Sequence, residues 1–206
     1  MKILDLTRAI LGGALLSLVV ASTPVVPVAQ AAPAQAAAAH DPRDSDTYTP
    51  DEIVKAGADF FGVTTEAMAK AVEQVFSKYG RPNAYITGNE GGGAFVVGLR
   101  YGDGNLYMKG QGAPMKVYWT GPTAGFDAGA NVSRAFTLVY NLPRPDAIFE
   151  RFPGVEGSAY VVAGISVNYQ QNGRVILAPM RTGVGLRLGA NVGYLSYSRE
   201  RNWIPF

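Results

Sequence analysis

A chain of 206 residues with 48% hydrophobic content can build one domain with a real core plus appendages. Its formal charge of +2 supplies no field for steering nucleic acid or acidic partners, and the absence of cysteine removes disulfides, thiol nucleophiles and thiolate metal sites. Most of the 25 glycines follow Gly80, which favours tight turns and closely packed strands over a helix bundle.

The start is a secretory signal. Lys2 and Arg8 flank a short charged region, residues 9–21 are apolar, and Ala29-Gln30-Ala31 and Ala34-Gln35-Ala36 offer small-residue cleavage sites. Pro24 and Pro27 interrupt the apolar run before it reaches the roughly 20 residues that a membrane span needs. Residues 1–36 are therefore expected to be cleaved on export, and no lipid anchor can form without a cysteine. Residues 37–48 are polar, proline-spaced and aperiodic, the composition of a disordered leader. The only histidine, His40, falls in that leader, so histidine-based triads, zinc sites and proton shuttles are excluded from the folded part.

Residues 49–81 read as a helical hairpin. Thr49-Pro50-Asp51-Glu52 combines an N-cap, a proline at the first helical position and a capping-box glutamate; Gly62 stops this helix. Thr64 caps a second one, whose Met68, Ala71, Val72, Val75, Phe76 and Tyr79 fall on one face, and Gly80 and Pro82 end it.

Residues 84–206 read as β-structure. Strands are expected at 94–101, at 105–109 after a Gly102-Asp103-Gly104 turn, and at 116–120, 123–130 and 134–140. A helical turn or loop follows at 143–151, then strands at 159–169, 174–180 and 183–197. Gly125-Phe126-Asp127-Ala128-Gly129-Ala130-Asn131-Val132 returns as Gly185-Leu186-Arg187-Leu188-Gly189-Ala190-Asn191-Val192, and Ala94-Phe95-Val96-Val97 returns as Ala159-Tyr160-Val161-Val162. The echoes describe two repeated meanders. A sheet of about eight to ten strands would leave exposed edges unless it closed, so the expected fold is mainly β: a small closed antiparallel barrel with an N-terminal helical hairpin.

Few residues suggest chemistry. Asp127 and Arg187 stand at equivalent positions of the two copies, on a strand face kept narrow by glycine, and are the candidate ion pair or polar point of a ligand site. Gly88-Asn89-Glu90-Gly91-Gly92-Gly93 invites a phosphate-loop reading, but no Lys-Ser/Thr and no helix follow it, so it reads as a turn. Glu90, Asp103, Asp127, Asp146, Glu150, Glu156 and Glu200 fall mostly at expected turns and strand ends, where carboxylates are solvated, and no catalytic pair can be nominated from spacing. The sequence calls for no cofactor and no metal. The chain ends Trp203-Ile204-Pro205-Phe206, and a terminal Phe after β-structure resembles the closing strand of outer-membrane barrels, yet Pro205 and the run Arg199-Glu200-Arg201 fit a strap on the core or across a barrel mouth better than a membrane strand.

Four stretches in order, Tyr85-Ile86-Thr87-Gly88-Asn89-Glu90-Gly91-Gly92-Gly93-Ala94-Phe95, Gly121-Pro122-Thr123-Ala124-Gly125-Phe126-Asp127, Phe152-Pro153-Gly154-Val155-Glu156-Gly157 and residues 185–192, resemble the envelope integrity protein A family of Gram-negative periplasmic proteins. The resemblance covers roughly residues 50–197. It implies a small soluble exported barrel that supports the cell envelope, with no activity established for the family and no catalytic or binding residue to carry over. Tyr101-Gly102-Asp103-Gly104, Trp119-Thr120-Gly121-Pro122 and Gly125-Phe126-Asp127-Ala128-Gly129 are distantly similar to SYLF lipid-binding domains. The expected function is thus a non-catalytic periplasmic protein that binds an envelope lipid, glycan or protein component. A SYLF-like lipid carrier, a carboxylate-dependent hydrolase and an integral outer-membrane barrel are the alternatives.

Overall fold

The computed structural model describes residues 45–203 except 95–96, 125–126, 156–157 and 183–192, and at 93–94, 97–98, 123–124 and 127–131 it describes the backbone alone. The expected signal peptide and nearly all of the leader lie outside the described residues. Two helices precede one curled antiparallel sheet.

Helix α1 (Pro50–Phe61) starts as its sequence requires. The Thr49 hydroxyl accepts from the Glu52 backbone N–H while the Glu52 carboxylate accepts from the Thr49 N–H at 2.8 Å, and Gly62 closes the helix in the left-handed region at φ 70°. Helix α2 (Thr65–Tyr79) is capped by Thr64 and buries Met68, Ala71, Val72 and Val75, with Phe76 and Tyr79 half-buried beside them. The whole expected face is therefore turned inward. Ahead of α1, the Tyr48 N–H donates to Pro82 O, and its ring packs edge-on against Tyr85 beneath the Lys109 ammonium.

Ten strands follow among the described residues: β1 (Ala84–Ala94), β2 (Val97–Met108), β3 (Met115–Ala124), β4 (Asp127–Tyr140), β5 (Arg151–Pro153), β6 (Tyr160–Val162), β7 (Ile165–Val167), β8 (Gln170–Asn172), β9 (Val175–Thr182) and β10 (Tyr194–Ser198). They lie in the order β5-β10-β3-β2-β1-β4-β9-β7-β6, with β8 also paired to β9. Just after β5, at one end of that order, Gly154 makes an antiparallel bridge to Gln170 of β8 and the Val155 N–H donates to Tyr169 O.

Two expected turns, and the expected break between strands at 121–122, lie inside strands instead. Gly88 to Gly93 belongs to β1, Gly102-Asp103-Gly104 to β2 and Gly121-Pro122 to β3, so the first half of the sheet has fewer and longer strands than expected. Conversely, 159–169 breaks at Ala163 and Gly164, both at positive φ, in a two-residue hairpin turn. The echoed segments sit differently in the chain: Ala94 and Val97 flank the β1–β2 connection, whereas Tyr160 to Val162 form β6. Residues 185–192, the second copy of the longer echo, lie outside the described residues.

Alternation along the strands separates two cores. Phe136, Leu138, Tyr140, Ala178 and Met180 pack on the helices and on Ile165, Val167 and Tyr169. Their neighbours Ala135 and Val139 turn to the opposite, inner face, where they join Ile86, Leu106, Val117, Trp119, Leu177, Leu195 and Tyr197. Trp203 joins neither core. It is 59% exposed and leans on Tyr101, whose hydroxyl donates to Trp203 O, so this part of the expected strap lies on the sheet's outer face.

Candidate functional site

The inner face becomes polar toward the end where β1 meets β2, β3 meets β4 and β9 leads toward β10. One register row crosses the sheet as Tyr197, Trp119, Gly102, Glu90 and Ser133. Trp119 on β3 and Glu90 on β1 are separated by a whole strand, a distance near 10 Å across the sheet. They nevertheless meet, with the indole Nε1–H donating to Glu90 Oε2 at 3.0 Å. Gly102 is what lets them: a Cβ there would overlap the indole ring, and one on Gly88 would stand 2.7 Å from its far edge. The glycines are gaps through which a large side chain reaches.

The same device works from the other side. Arg181 on β9 pairs with Ala135 on β4, which pairs with Gly88 on β1, so only small residues separate Arg181 from β1 on this face. Its guanidinium grips Glu90 with two bonds, Nε to Oε1 at 2.9 Å and Nη2 to Oε2 at 3.1 Å, and its Nη1 donates to Asn168 Oδ1 at 2.8 Å. Arg100 approaches Glu90 Oε1 at 3.2 Å. Glu90 thus accepts from a guanidinium and an indole and pairs with a second guanidinium while only 5% exposed.

The expectation that Glu90 is a solvated turn carboxylate is corrected by this arrangement. Burial by itself raises its pKa, but the Arg100 and Arg181 charges and the hydrogen bonds from Arg181 and Trp119 outweigh that and hold the carboxyl down at about 2. Burial lowers the Arg181 pKa, and Glu90 more than restores it. Burial also pushes the adjacent Tyr197 phenol upward. The group is a permanently ionised cluster rather than an acid–base pair poised near neutrality.

Two neighbouring polar atoms are buried without a hydrogen-bond partner among the described residues: Asn168 Nδ2 and Gln170 Oε1. The cluster was partly visible in sequence. Glu90 stands between Gly88 and Gly92, and Arg100 and Gly102 follow in the next alternating run, but only the strand register brings in Trp119 and Arg181. The side chains of the expected pair lie outside what the structure describes. Asp127 is the first residue of β4, opposite Ala94 at the same rim, with its side chain outside the described residues, as is the whole of Arg187. Among the described residues no group of three or more His, Cys, Asp or Glu side chains is placed to hold a metal ion, and no helix is long and apolar enough to cross a membrane.

A family model described as envelope integrity protein A matches residues 46–206. A crystal structure of a "beta-barrel-like, uncharacterized protein" from Brucella abortus is similar, with a TM-score of 0.70 and 48% sequence identity over 78% of this chain and 99% of the other. No curated protein matches.

Proposed function

Because the chain belongs to the envelope integrity protein A family, we propose that it is a non-catalytic periplasmic protein that supports the cell envelope by binding an envelope lipid, glycan or protein component at the rim of its sheet. The observation that carries this reading is the Glu90, Arg100, Arg181 and Trp119 cluster. Sinking three ionised side chains into an inner face costs several kcal/mol of desolvation, and a core of equal volume built from apolar residues would be at least as stable. A polar site near the rim gives those charges a use. Their fixed protonation state argues for recognition over hydrolysis, and a carboxylate held at about 2 is a poor general acid at neutral pH.

Closure of the sheet into a barrel belongs to the same proposal. It is supported by the Gly154–Gln170 bridge, which joins strand β5 at one end of the order to β8, itself paired with β9. The amphipathic helices α1 and α2 cover a face that a membrane barrel would turn to lipid, which favours a protein that folds in water over an integral barrel. Asp127 and Arg187 are proposed as further rim residues, one from each echoed segment, and a double-mutant cycle on Asp127→Ala and Arg187→Ala will show coupling if they meet.

The role itself is tested in cells. A strain lacking the gene should be sensitive to detergent and regain resistance with the full chain, but not with a chain lacking residues 1–36. Osmotic shock should release a form cleaved before the helical hairpin. Recovery of the uncleaved chain in washed membranes, or full rescue by the truncated chain, would contradict the proposal.

A further inference from the structure

Resting on the reading that the rim binds an envelope component, we propose that Arg181 and Asn168 receive a phosphate group there. Asn168 is 3% exposed, and its Oδ1 accepts from Arg181 Nη1 at 2.8 Å. That bond settles the orientation of the amide, since the reverse would set an NH2 group against a guanidinium. Its Nδ2 therefore donates, and it has no acceptor among the described residues. A buried donor left unmatched is costly and rare enough to require an explanation.

Arg181 lies beside it with capacity to spare. A guanidinium carries five N–H groups, and Arg181 commits Nε, one N–H of Nη2 and one of Nη1 to Glu90 and Asn168. One N–H on each terminal nitrogen remains. The two-point grip of Glu90 holds the guanidinium plane still, so these donors are oriented before any ligand arrives. The carboxylate that would repel an anion is itself covered by Arg100, Arg181 and Trp119.

Adjacent donors of which one is cationic select an acceptor-only group. A phosphate fits better than a single carboxylate, because it can meet the planar guanidinium with two oxygens and leave a third for the Asn168 amide. The same chemistry is offered by a phospholipid head group and by free phosphate. Arg181 retains 15% side-chain exposure, so part of its side chain faces outward.

The Trp119 indole N–H, bonded to Glu90, is the natural reporter. Trp203→Phe leaves it as the only indole signal, the chain having two tryptophans. The exported chain carrying this change would be titrated by nuclear magnetic resonance with inorganic phosphate, with monomeric dihexanoyl phosphatidylglycerol and with phosphate-free hexyl maltoside. The proposal expects a saturable shift with one or both phosphate compounds. Response to the lipid alone identifies a lipid head group, and equal response to inorganic phosphate identifies free phosphate. Asn168→Asp should weaken binding by at least about tenfold, the value of one hydrogen bond to a charged group, and Asn168→Leu by a similar factor. Circular dichroism identifies which of the two variants is folded, and either suffices. No shift with either phosphate compound overturns the proposal, as does unchanged affinity in a folded variant. A shift with hexyl maltoside alone also overturns it, while leaving the broader envelope-binding reading intact.

Discussion

Glu90 shows how a side chain's surroundings can reverse what its neighbours in sequence suggest. A glutamate among four glycines reads as a solvated turn, because glycine runs usually mark turns. Here Gly88 of that run, with Gly102 on β2, clears space across strands so that Trp119 and Arg181 can reach the carboxylate. Two outcomes follow. Glu90→Gln should cost about 3 to 5 kcal/mol in urea unfolding at neutral pH, since it leaves buried guanidiniums without their counter-charge. The folded pKa lies below the ordinary value of 4.5, so the stability tied to ionisation is full above about 4.5 and is lost as pH falls toward about 2. The gap between the natural protein and Glu90→Gln should therefore shrink across that window, and a gap independent of pH would contradict an ionised Glu90. Gly102→Ala should displace the Trp119 indole and destabilise by about 1 to 3 kcal/mol, with a change in tryptophan fluorescence.

Among the elements, the helices were the most legible, because their signals are local. Thr49, Glu52, Gly62 and Thr64 occupy the caps their spacing implies, and the apolar face of α2 is the buried one. Thr49→Ala should therefore cost about 1 kcal/mol through the lost cap. Met68→Ala, which empties a fully buried position between the helices and the sheet, should cost about 2 to 5 kcal/mol. Thermal and urea unfolding measure both, and similar losses for the two would mean that α2 does not anchor the sheet. Strand lengths were harder to read. Glycine within β1 and β2 imitates a turn, and only the cross-strand pairs, Gly88 with Gly104 and Glu90 with Gly102, distinguish a long glycine-rich strand from two short ones. The short strands of the second half were blurred for the opposite reason, since Ala163 gives no warning of the left-handed turn it enters with Gly164.

The molecule as a whole divides its work between the two faces of one curled sheet. One face is covered by α1 and α2 over β4, β7 and β9 and is apolar there. The other is apolar at one end and becomes the charged cluster toward the rim where the β1–β2, β3–β4 and β9–β10 connections leave. Motif order and composition were enough to reach the family and the mainly β fold, whereas the site depends on contacts between residues as far apart as Glu90 and Arg181, which no local pattern contains. The central claim is that this polar end of the inner face holds the envelope component. Native mass spectrometry of the protein released from its own periplasm, compared among the natural chain, Asn168→Asp and Trp203→Phe, tests it most directly. The account predicts an added mass on the natural chain and on Trp203→Phe, extractable into organic or aqueous solvent, and its loss from Asn168→Asp. An added mass that persists on folded Asn168→Asp and disappears from Trp203→Phe would move the site to the outer face and contradict the claim.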